Sequence, residues 1–501
     1  MDASWKERTN GEIGSDLQEN LDVFKSLLYG DVNADVHFRR LLLARRDACI
    51  LYIEGMADER TISDFALRCG ERAEPGDDAP VDADFLIRKV LQVAQCEAEN
   101  RVGAILDGVA TGMAAVFLDG CDEAVLMETR GFPARPVNRT ANESVVIGAQ
   151  EGFVENLRTN ITLMRRYVPS PLLITESLTV GAQVPCRVSL IYLRGAAEES
   201  VVAELRRRLK GIDAPSVQGL GAIQQLIEDS PWAVLPQMLQ TERPDRAASC
   251  ILEGQAVILA DNSPFALAAP ITLFHQLHTS DDSFSRWQYG SLLRIIRIFG
   301  ILISVFLPGV YIALTDYHMH MLPLSLLGSI AESRANVPFP ILAEILIMEF
   351  SFYLINEAGT RIPQQIGSAL GIVGALILGQ AAVSASIISP ILVIIVAITG
   401  LGNYAVPDYG FSLGLILCRL FVILSGSLLG LYGVCIVSFC MFAGLCGMRS
   451  LGQPYVSPVA PSRPHNPDLL LRLPSWMQNR PMRSFAKPGP FASRRREARR
   501  S

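Results

Sequence analysis

The 501-residue sequence has none of the short signatures that usually locate chemistry. There is no GxxxxGKS or GxxxxGKT phosphate loop, no HExxH and no GxSxG, and the pair Gly219 and Gly221 lacks the third glycine of a dinucleotide fingerprint. An enzymatic reading therefore has no residue to stand on, and no cofactor is expected. Ten cysteines are present, but they form no CxxC pair and no Cys/His ligand spacing. That argues against a disulfide framework and a zinc site and for a reducing compartment. The first residues include Asp2, Lys6, Glu7 and Arg8 with no apolar core, so no signal peptide is expected and the first half should stay in the cytoplasm.

Charge is missing from two long stretches, the 46 residues from Ile362 to Pro407 and the 29 from Leu420 to Met448. A helix rises about 1.5 Å per residue, so a hydrocarbon layer roughly 30 Å thick takes about 20 residues. With half of the chain hydrophobic, these runs read as membrane spans. The net charge of -6 conceals an asymmetry: after Gly447 there are 11 Lys and Arg against two acids, Asp468 and Glu497, which leaves 33 basic and 48 acidic residues elsewhere. A basic tail beside the last span fits the cytoplasmic face. Its close, Arg494 to Arg500, suits anionic lipid or plain topology better than nucleic acid.

Residues 1–34 read as an N-terminal extension, followed by two similar α/β subdomains at 35–135 and 150–275. Short runs rich in Val and Ile alternate there with helical patterns, as in the strand Ala48 to Met56 before the helix Asp58 to Arg68. Tyr52, Gly55, Ala57 and Glu59 match Tyr192, Gly195, Ala197 and Glu199 at an offset of 140. GMAAVFLDG from Gly112 matches GQAVILADN from Gly254 at an offset of 142. Two correspondences at nearly one offset indicate a duplication. The sequons at Asn138, Asn142 and Asn160 carry no meaning in a cytoplasmic region.

Residues 290–448 read as a helical membrane domain. Arg294 and Arg297 should anchor the cytoplasmic end of a first span, Ile298 to Leu314, with Asp316, His318 and His320 on the other side. An apolar helix from Pro338 to Asn356 contains Glu344 and Glu349, and the long uncharged run splits into spans at Ile366 to Ile388 and Ile391 to Val406. Leu413 to Met448 is long enough for one tilted helix or a hairpin. Both chain ends are expected in the cytoplasm, so the crossings number four or six. Residues 449–501 form a basic tail rich in Pro and Arg, expected to be mostly irregular from Tyr455 onward.

The Ile366 to Ile388 helix is rich in small residues, and Gly367 with Gly371 forms a GxxxG pair. Small residues serve helix packing, or they leave room for a narrow oligomeric pore. In the second case Ile372, Val373 and Ile377 could close the pore by dewetting, and Gln380 offers the one amide. Glu344 and Glu349 are costly at membrane depth unless they face a partner or water, and harmless if the helix only lies at the interface. They stand about 140° apart around a helix, whereas Glu349, Tyr353 and Asn356 share a face. Arg419 either snorkels to the headgroups or pairs with an acid.

Six strings resemble the A subunits of the GerA-type spore germinant receptors. They are EGFVENLRTNITLMRR from Glu151, LIEDSPWAVLPQMLQTERPDRAASCILEG from Leu226, SPFALAAPITLFHQL from Ser263, LPGVYIALTDYH from Leu307, the long run AESRANVPFPILAEILIMEFSFYLINEAGTRIPQQIGSALGIVGALILGQAAV from Ala331, and SPILVIIVAITGLGNYAVPDY from Ser389. The likeness covers residues 35–448. It implies a cytoplasmic pair of similar subdomains and a multi-span domain in the spore inner membrane. It also implies two companions, a transporter-like B subunit that binds the nutrient and a lipoprotein C subunit. Copies of the A subunit would then form a homo-oligomeric cation channel that opens on germinant binding. The stage V sporulation AF proteins, accessory ion-release channels, share the architecture. From another class, a secondary transporter would use Glu344 and Glu349 for ion coupling.

Overall fold

The computed structural model describes residues 8–67, 81–131, 148–361, 379–462 and 469–474. It opens with helix α1 (Leu17–Leu28), capped by Asp16, whose carboxylate accepts from the backbone N–H groups of Gln18 and Glu19. Leu17, Leu21, Phe24 and Leu28 recur at helical spacing and bury one face of α1. That face packs on Cys49, Leu51 and Phe117 of the first sheet, so the residues read as an N-terminal extension contribute to its core.

The first sheet contains β1 (Val36–Leu43), β2 (Arg46–Ile53), β3 (Cys96–Glu99), β4 (Ala114–Leu118) and β5 (Ala124–Met127), with α2 (Val102–Ala110) before β4. Its order is β1-β2-β4-β5-β3, antiparallel throughout. Next come α3 (Leu157–Tyr167), β6 (Leu173–Val180), β7 (Cys186–Leu193), α4 (Glu199–Lys210), α5 (Gly219–Ile227), β8 (Leu239–Thr241), α6 (Pro244–Leu252), β9 (Ala256–Ala260) and β10 (Ala266–Ala269). The second sheet runs β6-β7-β9-β10-β8, the same order strand for strand. Helices cover both faces of it, α3 and α6 on one and α4 and α5 on the other.

The repetition extends to single hydrogen bonds. The Asn20 amide clamps the backbone of Gly14, accepting at 3.0 Å and donating at 2.6 Å. The Asn160 amide clamps Val154 in the same way, at 2.8 and 2.5 Å. Asp119 accepts from the Leu17 N–H and Asp261 from the Leu157 N–H, both at 3.3 Å. Gly55 and Gly195 close their strands at φ 80° and 82°, a backbone region that penalises any Cβ. Asn160 is fully buried; Asn138 and Asn142 lie outside the described residues.

The apolar half holds α7 (Trp287–Asp316), α8 (Leu324–Arg334), α9 (Ile341–Arg361), α10 (Pro390–Tyr404), α11 (Tyr409–Leu429) and α12 (Leu431–Gly447). Among the described residues α7 and α11 are long and apolar enough to cross a membrane, while α10 and α12 are apolar but shorter. Residues 413–448 form a hairpin rather than one tilted helix, turning at Gly430 with φ 61°. Missing side chains let the helices meet: a Cβ on Gly309 would lie 2.7 Å from the Val422 carbonyl oxygen, and one on Gly402 would lie 2.5 Å from that of Gly300. Large side chains such as Ile394, Leu401, Phe421, Leu428 and Phe439 point outward from this bundle.

Contacts along the helices give their directions. Gly309 of α7 and Tyr317, the residue that caps its C-terminus, meet successively later residues of α11, so the two helices run the same way. Gly300 of α7 meets Gly402 of α10, whereas Tyr311, Ile312 and Ile388 share a cluster with Leu392, so α10 runs opposite to α7. Helix α9 follows α10, with Glu344 beside Ser389 and Asn356 beside Tyr404. Arg361 and Ser389 therefore sit at opposite ends of the bundle.

The chain then returns to the second sheet. Arg449–Ser450 pairs with Gln453–Pro454, and Leu451 and the fully buried Tyr455 complete the two cores on either face of that sheet. The Ser450 hydroxyl donates to the Gln237 carbonyl at 2.7 Å and accepts from the Ile271 N–H at 3.0 Å. Tyr455 thus belongs to a packed core rather than to an irregular tail, because its ring fills apolar volume and its hydroxyl finds the Pro236 carbonyl at 3.0 Å.

Candidate functional site

Charges are buried at three levels of the molecule. Between the two α/β units, Arg165 of α3 reaches back to Asp35, donating from Nε at 2.8 Å and from Nη2 at 2.6 Å. It also donates to the Asn33 side-chain Oδ1 at 3.0 Å and to the Thr175 hydroxyl at 3.4 Å. Asn33 in turn accepts from the Thr175 N–H at 2.8 Å. A buried guanidinium satisfied on this scale fixes the mutual setting of the two units.

At the start of α7, Arg294 and Arg297 do not reach outward as headgroup anchors. Both are buried against Asp282, at 3.1 and 3.2 Å. Burial pushes the Asp282 carboxyl up, but hydrogen bonds and charge from Arg297 and Arg294 outweigh it and hold the group below its ordinary range. His278 beside them is driven down to about 3 by burial and by the Arg294 charge, so it is neutral at physiological pH. Arg472 of the tail donates to the Ser285 carbonyl at 2.8 Å, fastening the returning chain to the same place.

Inside the bundle, both sequence-selected acids are buried and each meets an arginine from another helix. Glu344 lies 3.3 Å from Arg334 of α8, and its other oxygen accepts from the Ser389 N–H at 3.0 Å. Ser389 caps α10, so this carboxylate also sits on the positive end of a helix dipole. Glu349 lies 3.5 Å from Arg419 of α11, and Arg419 donates to the Tyr353 hydroxyl. Arg419 is 2% exposed, which rules out the snorkelling alternative: it is paired with an acid inside the bundle. The roughly 140° between the two acids sends them to different partners, as helix geometry requires.

Asn356, on the Glu349 and Tyr353 face, accepts from the Tyr404 hydroxyl at 3.1 Å. Gln380 is the second residue of a described helical stretch at 379–384 and is exposed. Ile372, Val373 and Ile377 lie outside the described residues, so no geometry joins them to the acids. The sequence reading missed Arg334, whose partner Glu344 is ten residues on across a turn, and Arg165, whose partner Asp35 is 130 residues away.

The family description "Bacillus/Clostridium GerA spore germination protein" matches residues 23–483, through both α/β units and the bundle. The chain belongs to the GerA family. This GerA chain is 35% identical over 486 residues to spore germination protein B1 of Bacillus subtilis (strain 168), covering 94% of this chain and 98% of that protein. It is 32% identical over 488 residues to "Uncharacterized membrane protein YfkQ" of the same strain, covering 96% and 92%. It is also similar to the crystal structure of the N-terminal domain of the A subunit of the Bacillus megaterium spore germinant receptor GerK3. That likeness is 26% identical with a TM-score of 0.40, over 52% of this chain and 97% of that one.

Proposed function

We propose that this GerA-family chain is the A subunit of a nutrient germinant receptor in the spore inner membrane, and that copies of it assemble around an ion path that starts germination when it opens. The observation that carries the reading is the family match from residue 23 to 483, which ties the duplicated α/β pair to a helical bundle with apolar outer faces. The membrane-protein relative supports a bilayer as the solvent of that bundle. The α/β pair and both chain ends lie in the cytoplasm. Helices α7 and α11 lead outward and α9, α10 and α12 lead back, and residues 362–388 connect opposite ends of the bundle, so the chain crosses six times.

In this reading residues 366–388 wall the path, Ile372, Val373 and Ile377 close it by dewetting, and Gln380 supplies the amide at its mouth. The pairs Glu344 with Arg334 and Glu349 with Arg419 neutralise the acids and hold the closed arrangement. A transporter-like B subunit binds the nutrient, a lipoprotein C subunit completes the receptor, and the nutrient acts by favouring the open arrangement in free energy. Planar bilayer recording on the purified protein, with and without its companions, tests this. Passive conductance that rises with germinant, and constitutive conductance in Val373→Ala, are expected. Concentrative uptake, or silence under every condition, would overturn the reading.

A further inference from the structure

The stretch from Ser230 to Thr241 carries no charge although it belongs to the water-facing half. Its second half turns inward, with Leu235, Gln237, Met238, Leu239 and Thr241 buried, yet Trp232 is 97% exposed. A tryptophan that buries nothing forfeits one of the largest apolar contributions a side chain can make, so its ring is expected to meet something outside this chain.

Its neighbours say where. A Cβ on Gly414 would lie 2.7 Å from the Val234 carbonyl oxygen, and one on Gly410 would lie 3.8 Å from Pro236 Cγ. Leu235 shares a cluster with Phe411 and Leu415. The loop therefore runs along the first two turns of α11. That helix has 21 residues, about 31 Å at 1.5 Å each, which equals the hydrocarbon thickness and sets its first turns at the headgroup boundary. Trp232 stands two residues before Val234, within about 7 Å of it. Tyr404 and Tyr409, 61% and 71% exposed, flank the same end of the bundle, and aromatic rings with a polar edge gather at this depth.

We propose that the Asp229 to Pro236 loop is a lipid-contacting element, with Trp232 seated in the headgroup layer of the leaflet that receives the start of α11. The proposal rests on the membrane-spanning reading of α11. The occupant is lipid, not another protein, because the loop is continuous with the outward apolar surface of the bundle. Its effect is to hold the second α/β unit against the bilayer, next to the helices it adjoins.

The test uses the full chain in phosphatidylcholine and phosphatidylglycerol vesicles, with Trp5, Trp287 and Trp476 replaced by Phe so that Trp232 reports alone. Lipids brominated high on the acyl chain should quench its emission, and aqueous acrylamide should not. A reference chain carries Trp232→Phe and Phe421→Trp, placing the reporter midway along α11. If that reference is quenched but Trp232 is open to acrylamide, the proposal falls and the spanning reading stands. If Trp232 is shielded from acrylamide and bromolipid alike, a protein surface covers it and the lipid assignment is overturned. If the reference itself is unquenched, the spanning reading fails and takes the proposal with it. Should the triple replacement not fold, the difference in quenching between the native chain and Trp232→Phe gives the same decision.

Discussion

Two buried arginines, one in the water-facing half and one in the apolar half, are held in different ways. Arg165 meets both oxygens of Asp35 and two further acceptors. Arg419 stands 3.5 Å from a Glu349 oxygen that, among the described residues, receives no hydrogen bond, and it donates to the Tyr353 hydroxyl. The first arrangement is specified atom by atom and locks the two α/β units together. The second is held by proximity of charge, which leaves the partners free to exchange at small cost. A molecule that must be firm at one end and able to rearrange at the other would distribute its buried charge in this way.

The largest effect should come from Arg165→Met, which leaves Asp35 buried without its cation. A loss of about 3–5 kcal/mol is expected in denaturant unfolding of the α/β region of the full chain. Glu349→Gln should cost less, about 1–2 kcal/mol in detergent unfolding, because polar groups of loosened membrane helices find other partners. Adding Arg419→Met should recover most of that loss. Equal costs for the two single changes would erase the contrast drawn above. Asn20→Ala and Asn160→Ala each unclamp two backbone groups, so each should lower stability by about 1–3 kcal/mol, and by similar amounts if the duplicated units are physically equivalent.

The smallest effect concerns acid. Burial raises the Glu176 carboxyl, but hydrogen bonds from Arg206 and Tyr192 outweigh it and leave the group below its ordinary value. A carboxyl lowered on folding stabilises above the unfolded value of about 4.3 and loses that contribution as pH falls through its folded value. Arg206 remains one-third exposed, so the contribution is under about 1 kcal/mol. Native protein should therefore lose stability more steeply than Glu176→Gln below about pH 4.3.

What could be read from sequence divides along the same line. The duplication was legible because Gly55 and Gly195 answer a backbone demand that no other residue meets cheaply, and such demands leave marks at fixed spacing. Helices α10 and α12 were legible as apolar segments from missing charge. Helix α1 was overlooked although Leu17, Leu21 and Phe24 carry the right period and Leu17 and Asn20 recur as Leu157 and Asn160 of its counterpart α3 at the same offset of 140. The Asn20 and Asn160 clamps bind backbone six residues back, a relation without a residue code. Glu344 and Glu349 were singled out by hydropathy, but their partners depend on which helices the fold brings side by side. Arg419 is 70 positions beyond Glu349, and no local pattern links them.

The position of Tyr455 sets an order of events during synthesis. The second sheet is translated by residue 269, but the ring that fills its core arrives only after the whole apolar half has left the ribosome. Until α12 is made and the chain doubles back, the nascent unit lacks the Tyr455 ring and leaves apolar surface open to chaperones and proteases. A copy that stops before residue 455 therefore marks itself as unfinished, with part of that core still uncovered.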